Sequence, residues 1–371
     1  MRIAFVSTIL DYPWGGADTL WTHAAEAAAE RGDVLLLSVS PAVAAAPRIT
    51  ALRSAGATVH ERTAPIVPGT PAARVARKLR SLAGGDALVA ALTSFRPDLV
   101  VFSLGGTYDL AFHSTWCRWL IASGVRFRLV ANWQQEHPVL FAADREFVRE
   151  CFARAADIFF VSNRNLASTR RHLLDPLARA RVIQNPLRWR SADSSPWPGA
   201  PGWRLATVSR LDEGKGVSLL LHAAARALSA EDDWSLHIYG RGPTESYLRE
   251  TAAHLRLEAR VQFHGFVGSL KAIWKDHHLL VSPSLEDGVP MTIPEAMLCG
   301  RPVLATAVGG AEDWIRHDET GFICPAPTVD LLAATLAHAW ARRAQWSALG
   351  TAARVAATAR YQPEDFRLLI A

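Results

Sequence analysis

Apolar residues fall along this chain in short runs separated by amphipathic, alanine-rich stretches. The first run, residues 2–7, leads into a Pro/Gly loop at 10–16 and a helical pattern over 18–30 that Arg31-Gly32 closes. Residues 34–39 form the next run, and 99–103, 127–131 and 158–161 continue the series with helical stretches between them. Apolarity that is continuous rather than alternating marks strands covered on both faces. A strand ends in Ile183-Gln184-Asn185-Pro186, and the Ser/Pro/Gly-rich segment 191–202 reads as a linker. The alternation then restarts, with strands predicted at 205–208, 235–239, 261–263, 279–281 and 303–305 and helices at 217–228, 244–255 and 292–299. A helical stretch, 331–360, and a tail, 361–371, close the chain.

Strands alternating with helices predict an α/β protein built from two Rossmann-like, doubly wound parallel sheets. The expected division is residues 1–190, a linker 191–203, a second domain 204–355, and a tail 356–371 that crosses back to the first domain. Ligands of such sheets bind at the carboxyl ends of the strands, so the two domains are expected to face each other across a ligand-holding cleft.

The chain has 371 residues, 50% of them apolar, which is enough for two cores. Its net charge of +5 is unevenly spread. Residues 1–190 hold 23 Lys+Arg against 15 Asp+Glu, a net +8, and residues 191–371 hold 17 against 20, a net −3. The basic half implies an anionic partner. Cys117, Cys151, Cys299 and Cys324 form no CxxC pair and no zinc-like cluster, so the expectation is a reduced cytoplasmic setting without disulfides. Met1-Arg2 runs straight into the first strand, and the apolar run 34–47 is too short to span a bilayer, which takes roughly 20 residues. The basic stretch from Arg74 to Arg80 reads as an exposed helix. Its sharper reading is docking on the inner face of an anionic membrane, where a lipid-linked acceptor would reside.

Two loops carry the chemistry. In Ser282-Pro-Ser-Leu-Glu-Asp-Gly-Val-Pro-Met-Thr-Ile-Pro-Glu-Ala-Met-Leu-Cys-Gly300, a strand ends, an acidic loop follows, and a helix begins near Thr292. Asp287 lies in the loop and Glu295 about one turn into the helix. The amides of Val289, Met291 and Thr292 suit diphosphate or sugar oxygens. In Ser209-Arg-Leu-Asp-Glu-Gly-Lys-Gly216, Arg210 and Lys215 put two cations on one loop. A departing nucleoside diphosphate gathers negative charge, and a hydrogen bond to a charged group contributes about 1.5–3 kcal/mol. Two such contacts supply roughly a hundred- to ten-thousandfold in rate, enough to replace a magnesium ion.

Together these segments resemble the pattern of glycosyltransferase family 4, in which an Arg…Lys pair precedes a helix and an E-x7-E motif lies further on. Here the motif reads Asp287-x7-Glu295. The resemblance extends to Gly240-Arg-Gly-Pro243, Phe263-His-Gly-Phe-Val267, Gly300-Arg-Pro-Val303, Gly309-Gly310 and Gly321, in order over residues 205–325, and to Gly15-Gly16 near the start. It implies a GT-B fold and retaining, metal-independent transfer from a nucleotide-diphosphate sugar, with no cofactor, to a glycan, lipid-linked or small-molecule acceptor. It further implies that Arg210 and Lys215 bind the diphosphate and stabilise the leaving group, Asp287 contacts the transferred sugar, and Glu295 takes the ribose hydroxyls. Gly16, Gly240 and Phe266 would line the donor site. Asp287 stands where the family has glutamate, with Glu286 beside it. The family's N-terminal histidine is replaced by Asn132-Trp-Gln-Gln-Glu-His137, so Trp14, Gln134, Glu136 and His137 are the acceptor-side candidates.

Other readings are weaker. A nucleotide-sugar epimerase or isomerase on the same scaffold would need acid and base residues that the sequence does not supply. A non-catalytic binder of anionic ligands fits the basic half, but no nucleic-acid motif accompanies it. No GxGxxG follows the first strand, and Gly214-Lys215 fails as a P-loop because Ser209 and Gly216 occupy its required positions. Glu231-Asp232-Asp233 reads as a solvated turn rather than a metal site, and most of the 13 tryptophans as core.

Overall fold

The computed structural model describes residues 1–371 except 10–13, 63–85, 134–139, 188–194, 200 and 230. Contacts divide the chain into two compact units, Met1–Pro186 with Gln362–Ala371, and Leu187–Tyr361.

The first unit holds a seven-stranded sheet in the order β3-β2-β1-β4-β5-β6-β7. These strands are β1 (Arg2–Ser7), β2 (Val34–Val39), β3 (Thr58–Glu61), β4 (Leu99–Gly106), β5 (Arg126–Trp133), β6 (Asp157–Phe160) and β7 (Ala180–Val182). Every pairing is parallel, for example Ile3 with Leu35 on one side and Leu99 on the other. Ile3, Ala4, Phe5 and Val6 are at most 1% exposed, which is why this strand reads as an unbroken apolar run. Helices begin where side chains supply the missing acceptors: Asp86 takes the Leu88 amide at 2.9 Å, and Ser162 takes that of Asn165 at 3.2 Å.

The second unit holds a six-stranded parallel sheet in the order β10-β9-β8-β11-β12-β13. Its strands are β8 (Trp203–Val208), β9 (Trp234–Tyr239), β10 (Val261–Gly265), β11 (Leu279–Ser282), β12 (Val303–Thr306) and β13 (Gly321–Cys324). One core, with Leu220, Leu236 and Trp346, packs one face, and another, with Trp274, Ile293 and Met297, packs the other. Both sheets change winding direction beside their central strand, between β1 and β4 and between β8 and β11. Such points are where α/β sheets receive ligands.

Two sequence expectations need correction. Cys117 and Cys151, expected free, form a disulfide across the helices Ser114–Ser123 and Ala142–Arg154, with Cα atoms 6.4 Å apart. They are 34 residues apart, so no local motif announces the pair. The boundaries also shift. Trp203, placed in the linker, opens β8, and the helix Trp346–Arg360 stays with the second unit, so the return to the first unit begins at Gln362 rather than 356. The run Glu231-Asp232-Asp233 lies in a turn as expected, and the Asp232 carboxylate accepts the Trp340 indole N–H at 3.0 Å.

Among the described residues no helix is long and apolar enough to cross a membrane.

Candidate functional site

In the second unit, the loops after β8, β9, β11 and β12 are sewn together by backbone. Leu285 donates its amide to Gly214 O (2.8 Å), Leu211 to Arg241 O (3.0 Å), and Gly310 to Gly288 O (2.8 Å). Two glycines permit this closeness. Gly240, at φ +135°, lies so near the next loop that a Cβ would sit 1.8 Å from Ser209 O. Gly309, at φ +51°, would put one 2.3 Å from the carbonyls of Asp287 and Gly288. Only glycine combines those angles with that approach.

This stitching brings the basic and acidic loops into contact. Lys215 Nζ donates to Asp287 Oδ2 at 2.6 Å, and both side chains are largely buried, at 23% and 15% exposure. Ser284 Oγ reaches the same oxygen at 3.5 Å. Glu286 packs against Gly214, where a Cβ would meet its Oε1 at 3.5 Å. Arg210 pairs with Asp212 at 2.6 Å on its own loop. Glu295 is 1% exposed, on the first turn of the helix Thr292–Leu298 that Met291 caps. Val289 and Met291 pack partly buried against the core beneath. Phe266, just past β10, is 68% exposed.

Lys215, Asp287, Arg210 and Gly240 therefore share one cluster of loops at the carboxyl edge of the second sheet. Sequence reasoning missed Asp212 and Ser284, which hold the two key groups. The Asp212 carboxylate could have been read from its place between Arg210 and Lys215, whereas Ser284 leaves no signal beyond proximity to the acidic motif.

In the first unit, Gly16 opens the helix Gly16–Glu30, whose Asp18 accepts the Gly15 amide at 3.0 Å, and burial raises the Asp18 carboxyl above its usual pKa. Trp14 donates its indole N–H to Thr19 Oγ1 at 3.2 Å. Gln134, Glu136 and His137 lie outside the described residues, as does the basic segment 74–80. Sequence reasoning also missed a polar knot at the ends of β1 and β4. Thr8 donates its hydroxyl to Asp109 and accepts the Gly105 amide at 2.8 Å, while Gly106 N donates to Asp109 at 3.1 Å. Burial raises the Asp109 carboxyl. Asn132, near the end of β5, is buried and donates to Ser103 Oγ (3.1 Å) and Leu104 O (2.8 Å).

His317, Asp318 and His338 bring their polar atoms within 4.8 Å of one another. His317 Nδ1 accepts the Ile323 amide at 3.0 Å, which leaves the proton on Nε2, and Asp318 pairs with Arg342 at 2.5 Å. That tautomer and that cation both oppose a metal there.

Two doubly wound parallel sheets in succession, the second carrying joined basic and acidic loops at its carboxyl edge, define the GT-B architecture. Anabaena HepE, crystallised with UDP, matches 100% of this chain and 98% of its own with a TM-score of 0.72 at 18% identity. The lipopolysaccharide outer core galactosyltransferase WaaB, in its apo form, matches 99% and 97% with a TM-score of 0.69, also at 18% identity. Residues 203–342 match the family model described as glycosyl transferases group 1. The putative colanic acid biosynthesis glycosyltransferase WcaL of Salmonella typhimurium is 30% identical over 149 residues, 38% of this chain and 36% of that protein. The N-acetyl-alpha-D-glucosaminyl L-malate synthase of Bacillus anthracis is 29% identical over 120 residues, 32% of this chain and 31% of its own. These matches span about a third of each relative.

Proposed function

We propose that this protein transfers a sugar from a nucleoside-diphosphate donor to a glycan, lipid-linked or small-molecule acceptor, with retention of anomeric configuration and without a bound metal. The observation that carries the reading is the 2.6 Å Lys215–Asp287 pair, with Arg210 on the loop that bears the lysine. Without ligand, each charge of the pair neutralises the other. A pyrophosphate arriving at the loop displaces the carboxylate from Lys215, and the freed Asp287 turns to the hydroxyls of the donor sugar. As the glycosidic bond breaks, Lys215 and Arg210 stabilise charge gathering on the departing phosphate, the role a magnesium ion fills elsewhere. The acceptor hydroxyl attacks from the same face, and its proton passes to the leaving phosphate oxygen. Glu295 takes the ribose hydroxyls, the amides of Val289, Met291 and Thr292 take donor oxygens, and Phe266 lies by the base. The acceptor-side candidates remain Trp14, Gln134, Glu136 and His137. HepE's crystallisation with UDP and with UDP-glucose makes uridine nucleotides the first donors to try. Because the basic stretch 74–80 suits an anionic surface, sedimentation with vesicles should rise with their anionic lipid content if the acceptor is membrane-borne.

UDP-glucose turnover in excess EDTA, with and without Lys215→Ala, tests the reading. The expected result is turnover insensitive to EDTA and lowered at least about tenfold by Lys215→Ala. Turnover that needs added magnesium, or that is unchanged in Lys215→Ala, overturns it.

A further inference from the structure

Arg62, just beyond β3, is only 8% exposed, although its guanidinium is charged. Its backbone amide donates to Val39 O at 2.8 Å, and its side chain crosses the carboxyl edge of the first sheet to donate to the Ser7 carbonyl at the end of β1. The guanidinium lies 5.1 Å from the centre of the Trp116 ring. Among the described residues it makes no ion pair, and its Nε has no hydrogen-bond partner. The Asp86 carboxylate acts on it only through space, and accepts the Trp116 indole N–H at 2.7 Å and the Leu88 amide at 2.9 Å. Residues 63–85, which follow in sequence, contain no Asp or Glu and include Arg74, Arg77, Lys78 and Arg80. The neighbouring imidazoles add no negative charge. His113 is stacked on Trp116 at 3.8 Å, and His60 lies against Ser38 at 3.1 Å; burial and the Arg62 charge keep both below their usual pKa.

A buried cation with no direct ion pair is costly to keep, and burial draws this arginine down to about 10 despite the through-space pull of Asp86. An arginine fork set at the carboxyl edge of a parallel sheet is a ready receiver for an oxyanion. We propose that Arg62 binds an anionic group of the acceptor, a phosphate ester or a sugar carboxylate, at the carboxyl edge of the first unit's sheet. The assignment of the ligand to the acceptor rests on the transferase reading above. The net charge of +8 over residues 1–190 favours the same class of ligand.

The test crosses two variants with three probes in thermal-shift titrations of the full chain, because a ligand that binds only the folded state raises its melting temperature. Inorganic phosphate and D-glucuronate probe Arg62, and UDP probes the donor loop. Phosphate or glucuronate should stabilise the wild type and Lys215→Ala but not Arg62→Met, while UDP should stabilise the wild type and Arg62→Met but not Lys215→Ala. A response to phosphate alone assigns a phosphate ester, and one to glucuronate alone a carboxylate. If Arg62→Met does not fold, Arg62→Lys, which keeps the charge but loses the fork, should weaken the effective anion about tenfold. Stabilisation by the anions that is unchanged in the Arg62 variant, or absent from the wild type, overturns the assignment. Loss of the UDP response from the wild type would instead count against the donor site.

Discussion

At the scale of single residues, the pairing of Lys215 with Asp287 makes the two substitutions behave differently. Lys215→Ala removes the cation proposed to bond the leaving phosphate, an interaction of about 1.5–3 kcal/mol, so steady-state turnover should fall by roughly ten- to a hundredfold or more. It also leaves the largely buried Asp287 carboxylate unpaired, so the melting temperature should fall as well. Asp287→Asn removes the carboxylate that occupies the lysine before the donor arrives. Turnover should again collapse, but UDP should bind at least as tightly as to the wild type, and isothermal titration reads this directly. Weaker UDP binding by Asp287→Asn would mean that the carboxylate helps hold the nucleotide rather than competing with it. Lys215, Arg210 and Asp287 were legible because their spacing matches a known pattern. Asp109 and Arg62 were not, because a carboxyl gripped by Thr8 and a guanidinium crossing to Ser7 depend on contacts 101 and 55 residues apart in sequence.

At the scale of elements, the loops proposed to hold the donor are held by glycines where no side chain fits. Gly240→Ala would force a Cβ to 1.8 Å from Ser209 O at φ +135°. The backbone conformation alone costs about 1–3 kcal/mol, and the collision adds to it. A urea titration should show the loss, and UDP binding should fall with it because Arg210 follows Ser209. Beneath these loops, burial depresses His237 and His278 to about 4 and lowers His264 and His277 as well. Unfolded histidines take up protons below about 6.5, whereas folded His237 and His278 resist until about 4, so the unfolded state binds more protons in that window. The second unit's stability should therefore be flat above about pH 6.5 and fall as the pH drops toward 4. A urea midpoint equal at pH 7.5 and 5 would contradict the burial of these rings. Element type was readable from unbroken apolar runs such as residues 2–7. The strand β3 escaped because its partly exposed Thr-Val-His-Glu carries no apolar run.

At the scale of the whole molecule, the last ten residues belong to the first unit, although they follow the second in sequence. Phe366, Leu369 and Ile370 are at most 4% exposed, Phe366 lies 5.5 Å from the His23 ring, and Arg128 donates to Ala371 O at 2.6 Å. Burying three such side chains contributes about 1.5–3 kcal/mol each, so removing residues 362–371 should lower the first unit's melting transition while UDP binding by the second persists. Scanning calorimetry with and without UDP separates the two. The doubly wound order of both sheets followed from the alternation of elements. The disulfide between Cys117 and Cys151 did not, since only the packing of two helices brings those thiols together.

The account as a whole stands on where a pyrophosphate binds, and a crystal structure with UDP, grown without divalent cations, measures that most directly. The expected result is a β-phosphate oxygen within about 3 Å of Lys215 Nζ, in hydrogen-bond contact with Arg210, and an Asp287 carboxylate that has left the lysine. Phosphates remote from both cations, with the Lys215–Asp287 pair intact, would contradict it.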